Sequence, residues 1–72
     1  MGFHKRYIND DQIIDMYRTQ GCQSVIDWFT KGVDAVITSG KLSDQIYTLI
    51  YEGSWNEVSE IISKASMKRQ FN

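Results

Sequence analysis

The chain has one cysteine, Cys22, and one histidine, His4, so it closes no internal disulfide and offers no Cys/His cluster for a structural metal. It also lacks a long apolar run. The longest, Ile46–Tyr51, is interrupted by Thr48 and is far too short to span a bilayer. No apolar segment precedes a cleavage site at the N-terminus, and Arg6 stands where a myristoylation signal opening on Met1-Gly2 needs Ser or Thr. These absences lead us to expect a soluble cytoplasmic protein (host cytoplasm if the source is a phage), with no membrane contact, cofactor or metal. Such a chain must rely on packing alone or on self-association.

Catalytic groupings are equally scarce. No Gly-rich phosphate loop, Ser/His/Asp set or carboxylate pair at a pocket mouth can be assembled. His4 sits beside Lys5 and Arg6 without an acid or nucleophile partner. Cys22 opens a helix, where the dipole favours a thiolate, yet with no base nearby a lone cysteine is more often a small buried hydrophobe. Asp11 and Asp15 share a helix face but supply too few oxygens for a divalent cation, and they read as solvated acids. The expectation is a protein that is not an enzyme.

Proline is missing too, and nine Ile stand against two Leu and two Ala, an inversion of usual composition. Ile, Tyr, Asn and Lys are favoured by AT-rich coding, which points to a low-GC bacterium or a phage. The net charge of −1 hides an asymmetry: residues 9–60 hold all nine acids and only Arg18, Lys31 and Lys41, while Lys5, Arg6, Lys64, Lys68 and Arg69 lie at the ends. An acidic body with basic tips repels phosphate backbones.

Helical signals dominate what is present. In Ser54–Met67, Ser54 and Glu57 form a capping box, and Trp55, Val58, Ile61, Ile62 and Ala65 recur on one face. This segment is expected to organise the fold. Asn9 with Gln12 is a second capping box, stapled by Ile8 and Ile13, with Asp10 and Asp11 favouring the positive end of the helix dipole. Gly21, Gly32, Gly40 and Gly53 read as helix stops. They predict helices over 10–20, 22–31, 33–39, 43–52 and 54–68, the fourth capped by Ser43 and stapled through Leu42 and Tyr47. The expected inward residues are Ile13, Met16 and Tyr17, then Val25, Trp28 and Phe29, then Val33, Val36 and Ile37, then Ile46, Leu49 and Ile50. No segment alternates long enough to argue a strand. The fold expected is therefore all-α: one compact domain of four to five short helices at 8–68, two helix-turn-helix hairpins packed together. A flexible basic-aromatic arm at 1–7 precedes it and a short tail at 69–72 follows.

Asp11-Gln12-Ile13 and Asp44-Gln45-Ile46 lie 33 residues apart, as do Val25 with Val58 and Lys31 with Lys64. This is either an internal repeat or the chance alignment of two amphipathic hairpins.

Function is carried best by the aromatics. Tyr47 and Tyr51 lie one turn apart on the flank of the fourth helix with Asp44 and Glu52 near its ends, a composition enriched at protein contacts. These four, with Trp28, are the candidate partner-binding residues. In size, Ile-rich composition and acidic body the chain resembles the small early regulatory proteins of T-even-type bacteriophages. That resemblance implies a small regulator or inhibitor that binds a host protein. A second resemblance covers residues 10–39, where DQIIDMYRTQG and CQSVIDWFTKG are similar to the first two helices of helix-turn-helix DNA-binding domains. It implies a transcriptional regulator with VDAVITS as recognition helix and Thr38, Ser39, Lys41, Lys5 and Arg6 as contacts, although that helix holds no Arg, Lys, Gln or Asn for base edges. A homodimer, or a small homo-oligomeric structural or assembly protein, is the third expectation, drawn from the surplus of aromatics.

Overall fold

The computed structural model describes residues 5–70. Phe3 and His4 of the expected arm, and Phe71 and Asn72 of the expected tail, lie outside the described residues. Two short strands, β1 (Arg6–Asn9) and β2 (Val36–Ser39), accompany four helices, α1 (Asp10–Gln20), α2 (Cys22–Thr30), α3 (Lys41–Glu52) and α4 (Trp55–Gln70). The chain is predominantly helical, as its periodicity predicts, and the small sheet is its minor part.

The sheet corrects the expectation of no strand. β1 and β2 pair in parallel, from Arg6 opposite Val36 to Asn9 opposite Ser39. The helix expected over 33–39 is instead a single 3₁₀ turn, Val33–Ala35, running into β2. Val33, Val36 and Ile37 have helical spacing, but Val36-Ile37-Thr38 is an unbroken β-branched run, which favours extended backbone. Burial then follows the strand period: Val36 is buried while Ile37 is exposed. The arm is corrected in part, because Arg6 and Tyr7 belong to β1. Helix α4 continues to Gln70, past the expected boundary at 68.

The Asn9 cap is present in full. Asn9 Oδ1 accepts from the Gln12 amide at 2.8 Å and Gln12 Oε1 from the Asn9 amide at 3.0 Å, which satisfies two donors that α1 itself cannot. At the start of α4 the Glu57 amide donates to the Ser54 backbone carbonyl at 3.2 Å and not to its hydroxyl. α3 begins two residues earlier than predicted, and Ser43 does not cap it. Asp10, the first residue of α1, reaches across instead: its carboxylate accepts from the Ser43 amide at 2.8 Å and the Leu42 amide at 3.4 Å. Gly40 makes room for that carboxylate, which a Cβ there would strike, and its φ of +119° disfavours any other residue. Gly53 closes α3 in the left-handed region at φ +83°. Its amide donates to the Ile50 carbonyl at 3.1 Å and the Ser54 amide to Leu49 at 2.8 Å, a Schellman closure.

Every helix and the inner face of the sheet contribute to one core, in which Ile13, Val25, Phe29, Ile46, Val58 and Ile62 are wholly buried. Ile8, Ile14, Ile26, Val36, Leu42 and Ile50 complete it, and Trp28, Leu49, Ile61 and Ala65 are among the residues that pack at its rim. Trp55 departs from its expected inward place: it is 48% exposed, since it occupies the first turn of α4 immediately after the corner at Gly53. Arg18 ties α1 to α4, donating from Nε to Ser66 Oγ and from Nη2 to the Ser66 carbonyl, both at 3.1 Å.

Candidate interaction surface on the third helix

α3 buries Leu42, Ile46 and Ile50, and the 3.6-residue period then swings Tyr47 and Tyr51 onto the adjacent flank, one turn apart. Their rings stack with centroids 6.1 Å apart and planes 15° from parallel. Tyr47 is half-buried against the core, whereas Tyr51 is 64% exposed. The pair is thus anchored at one end and open at the other.

Asp44 and Glu52 are both exposed at opposite ends of the same helix. Asp44 accepts a hydrogen bond from Thr38 Oγ1 of β2, which fixes its carboxylate at that margin. Glu52 is the last residue of α3, and no basic side chain occupies that last turn. An acid beside the negative end of a helix is unfavourable for folding, by about 0.3–1 kcal/mol where exposed. Tyr47, Tyr51, Asp44 and Glu52 therefore share one element, as the sequence predicts.

Trp28 belongs to a different setting. Its ring meets Phe29 edge-on at 5.2 Å, and the Arg6 guanidinium stands 4.4 Å over its face. Arg6 is held there by hydrogen bonds from Nη1 to the Trp28 carbonyl at 2.7 Å and from Nη2 to the Gly32 carbonyl at 3.2 Å. Trp55 is the residue that sequence reasoning left out of the surface. It follows Tyr51 by four residues across the Gly53 corner, and with Gly53, Ser54, Asn56 and Glu57 it lines a shallow depression of about 460 Å³. A large aromatic in the first turn after a tight stop is the signal that marks it, because the end of a bundle has no neighbour to cover that turn.

Of the residues expected to meet DNA, Arg6 and Thr38 are engaged within the fold as described, and residues 33–39 form no recognition helix. Lys5, Ser39 and Lys41 are exposed. Lys41 shares an open groove of about 400 Å³ with Lys64 and Lys68, floored by Leu42, Ile61 and Ala65. Lys64 also pairs with Glu60 at 3.4 Å. Cys22 is a free, half-buried thiol packed on the core rim. Among the described residues no group of three His, Cys, Asp or Glu side chains could hold a metal ion, and no helix is long and apolar enough to cross a membrane.

No protein-family model matches the chain, and no curated protein or solved structure matches it significantly.

Proposed function

We propose that this chain is a non-enzymatic protein-interaction module, a small regulator or inhibitor of the phage type that binds a host protein through the outer flank of α3. The observation that carries the reading is the Tyr47–Tyr51 stack, with Tyr51 64% exposed on a helix whose core contacts are already complete without it. Rigid aromatics present contact area at little entropic cost, and Asp44 and Glu52 give the patch acidic margins that suit a partner with a basic, partly apolar groove. Glu52 lies where it works against the helix dipole, so its position is better accounted for by recognition than by stability.

Light scattering on the purified protein, followed by titration with captured partners, tests the reading. The expected result is a monomer that gains mass only on mixing, with Tyr51→Ala weakening association by about 1–2 kcal/mol. A stable dimer of the protein alone, lost in Tyr51→Ala, would assign the flank to a second copy. Tight, salt-sensitive duplex DNA binding abolished by Lys41→Glu would replace the reading with the nucleic-acid one.

A further inference from the structure

The corner between α3 and α4 concentrates charge of one sign beside an exposed tryptophan. The charged side chains from Tyr51 to Glu57 are Glu52 and Glu57, both acids and both exposed. Neither makes an ion pair among the described residues, whereas Glu60, one turn further along α4, is paired with Lys64. No basic residue lies in the last turn of α3 or lines the depression beside Trp55. The C-terminus of α3 and the N-terminus of α4 meet here with opposite partial charges, so the two full carboxylate charges set the sign of the corner.

Neither carboxylate is consumed by the fold. Glu52 ends α3, where an acid is unfavourable. Glu57 stands in the first turn of α4, where an acid suits the dipole, but it closes no capping box, because the Ser54 amide donates to the Leu49 carbonyl at 2.8 Å. Trp55, between them in sequence, is 48% exposed. The carbonyls of Tyr51, Glu52 and Gly53 accept no backbone hydrogen bond from the described residues.

The first half of the fold shows what such a set of groups holds. There the Arg6 guanidinium stands 4.4 Å over the Trp28 ring and donates to the Trp28 and Gly32 carbonyls at the end of α2. A tryptophan and helix-end carbonyls recur at the α3–α4 corner, with two carboxylates added and no basic residue of the chain in the lining.

From this we infer that the α3–α4 corner receives an arginine side chain of the partner protein, its guanidinium stacked on Trp55 between the Glu52 and Glu57 carboxylates. The inference rests on the reading of the α3 flank as a partner surface and names the residue the partner supplies. Arginine suits the corner better than lysine, because a planar guanidinium stacks on an indole and bonds a carboxylate through two parallel N–H groups. A second copy is a poor source, since of the described arginine side chains Arg6 and Arg18 are both bonded inside the fold.

The test uses the full chain and N-acetyl-arginine methylamide, beside the lysine analogue and the neutral citrulline analogue, with the two indole N–H signals followed by NMR. The Trp55 signal is expected to move saturably in the millimolar range with the arginine probe, about three-fold more weakly with the lysine probe and not at all with citrulline. Trp28, whose face Arg6 covers, is the internal control and stays fixed. Glu52→Gln and Glu57→Gln, at exposed positions that keep the circular dichroism spectrum, should each weaken binding about three-fold. No movement of Trp55 at tens of millimolar arginine probe, equal movement with citrulline, or undiminished binding by the double variant overturns the inference. A Trp55 signal that moves with protein concentration without any probe overturns it in favour of a second copy. The reading of the α3 flank fails on a different result, capture of a partner by Tyr51→Ala as fully as by wild type.

Discussion

The two halves of this chain have one plan and two surfaces. Each runs strand, helix, glycine turn, helix: β1, α1 and α2 in the first, β2, α3 and α4 in the second. Ile13, Val25 and Phe29 of the first half correspond at a 33-residue offset to Ile46, Val58 and Ile62 of the second, and all six are wholly buried. At other positions the correspondence breaks. At that offset Ile14 faces Tyr47, Arg18 faces Tyr51 and Cys22 faces Trp55. In the first half those positions serve the fold: Ile14 is buried, Arg18 bonds Ser66 of α4, and Cys22 packs on the core rim. In the second half they become a row of aromatics, two of them about half or more exposed. Core positions are held by close packing, where a change of one methylene is felt. The divergence therefore collects where packing leaves freedom, and that is where we place function.

The strongest way to break this comparison is to cut the shared core. Phe29→Ala and Ile62→Ala, at corresponding positions, should each cost about 3–5 kcal/mol, most of what so small a domain possesses. Chemical denaturation checks this, and two costs differing several-fold would show that the halves do not carry the core alike. Glycine substitution sharpens it next. Gly40→Ala meets both the Asp10 carboxylate and a positive φ, whereas Gly21→Ala at φ +96° meets no atom within 4 Å. We expect about 2–3 kcal/mol for the first and about 1 for the second by thermal melting. A third pair addresses the helix starts: Asn9→Ala removes the local cap of α1 and Asp10→Ala the cross-chain cap of α3, each at about 1 kcal/mol. If Asp10→Ala is neutral, α3 does not depend on the first half for its start. The smallest effect is reserved for the surface, where Tyr51→Ala should move stability by no more than about 0.5 kcal/mol, against about 1 for Arg18→Ala, which loses its bonds to Ser66.

What could be read from the sequence was local. The Asn9–Gln12 box, the stops at Gly21 and Gly53, and the stripes through Ile13, Val25, Ile46 and Val58 depend on residues within two turns of each other, and each is found where the pattern puts it. The misreadings have a common cause in non-local partners. RYIN and VITS are four residues each, too short for period two to stand out, and they become strands only by meeting each other across 30 residues. Asp10 reads as an acid of the first turn of its own helix, yet its carboxylate serves another helix 33 residues on. Arg6, expected in a loose arm or on phosphate, is occupied by Trp28 and Gly32. For the surface, the spacing of Tyr47 and Tyr51 announces their shared flank, but the exposure of Trp55 follows from where the bundle ends, which no pattern within α4 discloses.

Differential capture by immobilised wild type and Tyr51→Ala, with both proteins first matched by circular dichroism and melting temperature, tests the central claim most directly. The account predicts that a protein retained by wild type from a candidate host lysate is lost by Tyr51→Ala while the two melt together, and that Tyr17→Phe, at the core rim of the first half, retains it. Identical capture by wild type and Tyr51→Ala, or a Tyr51→Ala chain that no longer folds, would contradict it.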